Sequence, residues 1–173
     1  MELGELKNLL TLSWKEETCS PGLRSEWESS NPSLGQCAIT ALIVNDVYGG
    51  KIMRCMTSSG SHYYNLLDDG RRVDLTVDQF WGEIPKYEEG QEKSREYLLG
   101  NNDTKTRYLM LKENLKDVYD GVVLVSKIET SVDAASKITK DIEKVFGDFY
   151  RSGAKFYIDD KGMIKQRKKD RLF

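Results

Sequence analysis

The chain has 173 residues, a formal net charge of -2 at pH 7, 39% hydrophobic and 31% charged residues. That length allows one domain, or one domain with a small appendage. The near-balanced charge gives no global field for gathering nucleic acid or anionic membrane, and no run approaches the ~18 apolar residues of a membrane-spanning helix.

The first residues, Met1 to Lys7, are acidic and helical, without the basic start or apolar stretch of a secretory signal. Leu3, Leu6, Leu9 and Leu10 recur at helical spacing, which predicts a short amphipathic helix over residues 2–13. Glu16 to Gly22 is turn chemistry closed by the breaker Pro21-Gly22, and Trp27 to Pro32 reads as polar loop. A helix is expected to start near Ser33 or Gly35 and to run through Cys37 to Tyr48. It is nearly all apolar, so it should be buried along most of its girth, and Gly49-Gly50 should end it. Three short strands follow: Lys51–Met56, His62–Leu67 and Arg71–Thr76, the last two joined by a hairpin turn at Asp69-Gly70. An antiparallel meander behind a buried helix implies an α+β fold.

Residues 85–104 read as one surface helix and a loop. Thr106–Tyr119 reads as a helix with Leu109, Leu111, Leu115 and Val118 as its apolar positions. The apolar run Gly121–Ile128 reads as a strand, and Ser131–Tyr150 as a long amphipathic helix. Lys155–Asp159 and Met163–Lys165 read as a hairpin, followed by a basic tail to Phe173. The expected organisation is a domain over residues 1–119 and a small C-terminal β-α-β-β unit over 120–173, near the lower limit of independent stability. Residues 161–173 carry six basic residues and one acidic. Such tails are usually solvated faces, so nucleic acid is not an expected partner.

Three cysteines, Cys19, Cys37 and Cys55, cannot all pair within one chain. Free thiols favour a reducing, cytoplasmic setting. With one histidine and no zinc spacing, no metal or other cofactor is expected. Cys55 belongs to an apolar strand and reads as core, whereas Cys19, in a Pro-Gly turn, reads as exposed.

Cys37 opens the buried helix, where the positive end of the macrodipole favours a thiolate. His62, the only imidazole in the chain, is the one available base. Asp74 lies twelve residues further on, across the Asp69-Gly70 turn, and can fix the imidazole from the adjacent strand. Gln36 and the backbone N–H of Cys37 are candidate donors to an oxyanion. Each residue alone has a plain structural reading: core cysteine, packed histidine, solvent-facing aspartate. Their joint order and spacing point to a thiol triad.

These residues also carry a resemblance. Ser13-Trp14, Glu17-Thr18, Trp27, the stretch Asn31 to Gly50, Ser61 to Asn65, Val73 to Thr76 and Gln79-Phe80 resemble the YunG family of small bacterial and phage proteins. The likeness covers Trp14 to Phe80, and Tyr64 stands where the family pattern has Trp. The resemblance implies a papain-like or transglutaminase-like thiol fold, with the nucleophile helix packed on an antiparallel sheet. It implies Cys37, His62 and Asp74 as catalytic residues, with Gln36 in support. The expected activity is cleavage or transfer at an amide of a protein or peptide substrate. The alternative is a binding or inhibitor protein that keeps the fold without turnover.

Overall fold

The computed structural model describes residues 1–129, 156–158 and 164–166. Helix α1 spans Leu3–Ser13, and its N-terminus is closed reciprocally by Glu2 and Glu5. Leu6 and Leu10 on its inner face are fully buried. Helix α2 spans Cys37–Tyr48, and Ile39 to Val44 form an unbroken buried run, as expected of a helix enclosed on most sides. Gly49 and Gly50 then adopt φ of 70° and 72°. At Gly50 a Cβ would lie 2.5 Å from the Leu66 carbonyl oxygen, so only glycine turns the chain here into the sheet.

Strands β1 (Lys51–Thr57), β2 (Gly60–Leu66), β3 (Arg72–Val73) and β4 (Gln91–Lys93) make one antiparallel sheet in the order β3-β2-β1-β4. Ile52, Asn65 and Val73 are in line across it. Asn65 donates its side-chain amide to the Ala41 carbonyl of α2 at 3.0 Å, which pins the helix to that face. Helix α3 (Arg95–Leu99) buries Leu98, and helix α4 (Asn102–Glu129) packs on α1 and α2 through Tyr108 and Leu111. The fold is thus mixed helix and antiparallel sheet, α+β, with its core between the sheet, α2 and the α1–α4 pair.

Several details depart from the sequence reading. Strand β3 is two residues long rather than Arg71–Thr76. The polar stretch after Pro85 contributes a strand, β4, as well as a helix. Leu109 is exposed, and Tyr108 takes its place beside the expected Leu111 on the inner face of α4. Gly121–Ile128, expected as the first strand of a β-α-β-β unit, is the final part of α4. Leu111, Leu115, Val118 and Val122 continue one stripe at helical spacing. Adding residues to a formed helix is also cheaper than starting a new element. The helix therefore crosses residue 119 without a break. A hairpin of β5 (Phe156–Ile158) and β6 (Ile164–Gln166) forms where one was expected, with Tyr157 opposite Lys165. The expected helix at Ser131–Tyr150 and the tail beyond Gln166 lie outside the described residues.

Candidate active site

The Asn31–Gln36 turn delivers Cys37 to the first position of α2, as two turn bonds, Leu34 N–H to Asn31 O and Gln36 N–H to Ser33 O, wind it into the helix. Gly35 holds φ at +68°, and a Cβ there would sit 2.6 Å from Cys19 Sγ and 2.9 Å from Ser20 N. Cys19 is therefore packed beneath this turn and fully buried, not exposed in its own turn as expected. Cys37 is only half-buried. At the start of a twelve-residue helix its N–H has no intrahelical partner and forms part of the positive end of the dipole.

His62 lies in β2 opposite Cys55 and is 1% exposed. Its Nε2 meets Asp74 Oδ2 at 2.6 Å. Continuing the β2–β3 register puts Asp74 opposite Tyr64, so it meets His62 on the diagonal of the same face. The same carboxylate ends the strand. Its Oδ1 accepts the Thr76 N–H at 3.0 Å and the Thr76 hydroxyl at 3.1 Å, folding the chain back on itself. Tyr87 donates its hydroxyl to Oδ2 at 2.8 Å, so both oxygens of Asp74 are doubly engaged. With Nε2 committed to Asp74, the ring's other nitrogen, Nδ1, is buried and has no well-formed hydrogen bond. The Cys37 sulfur lies 3.9 Å from the carbonyl oxygen of Ser61, the residue before His62.

Burial pushes the His62 pKa down, but the hydrogen bond to Asp74, the neighbouring Cys37 thiol and the Asp74 charge more than reverse this. The pKa rises to about 9. Asp74 shows the mirror case. Burial raises its pKa, while the His62 hydrogen bond and charge, the Tyr87 hydroxyl and the Thr76 N–H hold it below the ordinary carboxylate value. Tyr87 is driven up by burial and by the carboxylate it serves, so it remains a donor. Burial lifts the Cys19 thiol to about 11, against the pull of Arg107 and Arg24, and burial also raises Cys55. Both are inert interior thiols.

Cys37 and His62 open onto one cavity of about 510 Å³, within the range of small-molecule and peptide sites. Phe80 closes over His62 edge-on, with ring centroids 4.8 Å apart at 82°. Gln79 fixes that loop against the Cys37 turn. Its Nε2 donates to Thr76 O at 2.9 Å, and its Oε1 accepts the Gly35 N–H at 3.4 Å. The far wall of the cavity includes Arg107, which is 5% exposed and bound to Asp103, Thr18 and Thr104.

Of the residues singled out from the sequence, Cys37, His62 and Asp74 are brought together. Gln36 is not brought to the cavity. It is fully buried and spends its Nε2 on the Lys15 carbonyl at 3.0 Å, because its side chain turns inward beneath the helix start. Thr76, Gln79 and Phe80 belong to the site without having been assigned a role, although the Val73–Thr76 and Gln79-Phe80 anchors contained them. Tyr87 carried no signal: a tyrosine in a polar stretch thirteen residues past Asp74 has no pattern to mark it. Among the described residues no cluster of His, Cys, Asp and Glu is arranged to hold a metal ion.

The fold and this site define a mixed α+β protein with a buried histidine–carboxylate pair beside a half-exposed thiol. The family model described as YunG protein matches residues 2–120. Over 104 residues the chain is 31% identical to the uncharacterized protein YunG of Bacillus subtilis (strain 168), covering 60% of this chain and 84% of that protein. The chain belongs to the YunG family. No solved structure matches it.

Proposed function

We propose that the protein is a cysteine-dependent amide hydrolase or acyltransferase on a papain-like or transglutaminase-like core. In this reading Cys37 is the nucleophile, His62 the acid and base, and Asp74 the group that orients and charges the imidazole. The observation that carries the reading is the divided state of the His62 ring. Nε2 is locked to Asp74 at 2.6 Å, and Nδ1 is buried and unspent beside a thiol that opens onto a cavity. Most buried side-chain nitrogens kept only for packing have a hydrogen-bond partner.

The chemistry follows from that geometry. The Cys37 proton passes to Nδ1, and the imidazolium beside the sulfur holds the charge that the pair separates. The thiolate attacks an amide carbonyl carbon, a C–S bond forms, and the π pair moves to oxygen. The Cys37 N–H at the start of α2 is placed to donate to that oxygen. As the C–N bond breaks, Nδ1–H gives its proton to the departing nitrogen and a thioester remains. Water or an amine then attacks the thioester, His62 takes up its proton, and the C–S bond breaks to restore the thiol. Peptide cleavage, side-chain deamidation and transamidation share this route. The alternative, a binding protein without turnover, favours a closed surface over the thiol. The open cavity at Cys37 supports the enzyme reading over it.

Iodoacetamide at pH 7 tests the assignment. One carbamidomethyl group is expected on the folded protein, at Cys37, and Cys37→Ala should abolish it. Alkylation goes through the thiolate, so His62→Ala, which removes the neighbouring base, should slow the reaction. A wild-type rate no faster than that of a free thiol, or one indifferent to His62, would sink the reading.

A further inference from the structure

The cavity at Cys37 is not the end of the concave surface. Two of its lining residues, Thr57 and Phe80, also line a second groove of about 360 Å³. The ring that closes over His62 is therefore a partition between two hollows. Met56, Ile84 and Pro85 supply the apolar wall of the second, and Glu83, Lys86 and Glu89 give it a charged rim. Ile84 is 79% exposed and Met56 52%, so neither contributes to the core. Large apolar side chains left in water around a concavity point to binding rather than packing. The chain that carries them is also strained. Trp81, directly after Phe80, adopts φ of 53°, and it is the one non-glycine residue with positive φ among the described residues. Its ring is 74% exposed. A bulky residue held in the left-handed region is a backbone outlier of the kind that gathers at binding sites. The sheet adds a third feature. β4 pairs with β1 only over Ile52–Arg54. Past Arg54 the outer edge of β1 runs on to Met56 and Thr57, into this groove.

The geometry points to a second subsite: the Met56–Ile84–Pro85 groove takes an apolar side chain of a polypeptide substrate while the amide under attack lies over Cys37. This assignment rests on the thiol-enzyme reading. Two hollows that share a wall suit an extended chain, in which side chains on one face repeat every ~7 Å. A single amino-acid amide would engage only the first hollow. Continuity through Phe80 makes the substrate's own flanking residues the occupant of the second.

Peptidyl chloromethyl ketones test this directly, because the Cys37 sulfur displaces chloride to form a stable C–S bond. Three probe series carry leucine, glycine or aspartate at each of the two residues preceding the ketone. At one of those positions the leucine probe should label Cys37 roughly tenfold faster than the glycine probe, as expected for filling an apolar pocket. Ile84→Ser and Met56→Ser, tested separately, should each cut that preference to about threefold or less. Dividing each probe rate by that variant's own iodoacetamide rate at Cys37 removes any change in the thiol itself, and a cooperative thermal unfolding transition shows that both variants are folded. A wild-type protein without a leucine preference, or a preference that survives both substitutions, overturns the subsite. Failure of iodoacetamide to react preferentially at Cys37 is a separate result, and it overturns the underlying enzyme reading.

Discussion

Asp74 is where most of the site's electrostatics converge. One carboxylate ends β3, accepts Tyr87 and holds His62, and it does so with its side chain only 6% exposed. Replacing it by alanine leaves a buried imidazole without its counter-charge, and the expected loss of stability is about 3 kcal/mol. Asp74→Asn keeps the shape and removes the charge, so the His62 pKa should fall toward its ordinary value. The pH profile of Cys37 alkylation should then lose its dependence on a group titrating near 9. Tyr87→Phe removes one hydrogen bond and should cost about 1–2 kcal/mol in urea unfolding, with only a small effect on the alkylation rate. Alkylation profiles indistinguishable between wild type and Asp74→Asn would show that the carboxylate does not govern the imidazole. The order of Cys37, His62 and Asp74 was legible because chemistry restricts the residue types, and the chain has a single histidine. The supporting residues were not, since threonine, tyrosine and phenylalanine serve many purposes.

At the scale of elements, the short runs with strong punctuation were the readable ones. The four leucines of α1, the apolar girth of α2 with Gly49-Gly50 behind it, and the β1–β2 pair all follow local rules. The misread elements are those where a local rule met a stronger neighbour. Val122 to Val125 looks like a strand because β-branched residues favour strands, yet it continues the register of α4. Arg71–Thr76 looks like a strand because it alternates, yet Asp74 diverts its carboxylate to Thr76 and stops the ladder. The inner face of α4 is checked by a pair of substitutions. Leu111→Ala should cost about 3 kcal/mol, since the side chain is fully buried between α1 and α2. Leu109→Ala should change stability by less than ~0.5 kcal/mol, because that side chain is half in water. Equal losses at the two positions would mean that α4 packs on a different face.

For the whole molecule, the His62–Asp74 pair sets the direction of the pH dependence. The His62 pKa is raised from 6.5 to about 9, so the folded state binds the proton more tightly than the unfolded chain. Its contribution is complete below pH 6.5 and is lost as the pH rises through about 9. Asp74 is lowered from 3.8, so its contribution is present above that value and is lost as acid protonates the folded carboxylate. The melting temperature should therefore be highest between pH 4 and 6.5 and should fall toward pH 9. In His62→Gln the alkaline fall should be absent. The family match ends at residue 120, inside a helix that continues to Glu129, so the shared fold and the rest of the chain are joined by unbroken helix. Sequence periodicity marked a change of character there, but it could not show that backbone hydrogen bonding carries through. The exposed side chain of Trp81 has one more consequence. Trp14 is buried in the core and Trp27 is half-buried, whereas Trp81 stands in water directly after Phe80, the partition between the two hollows. The protein thus carries its most exposed indole one residue from Phe80, and the emission lost in Trp81→Phe reads the polarity there without any added label.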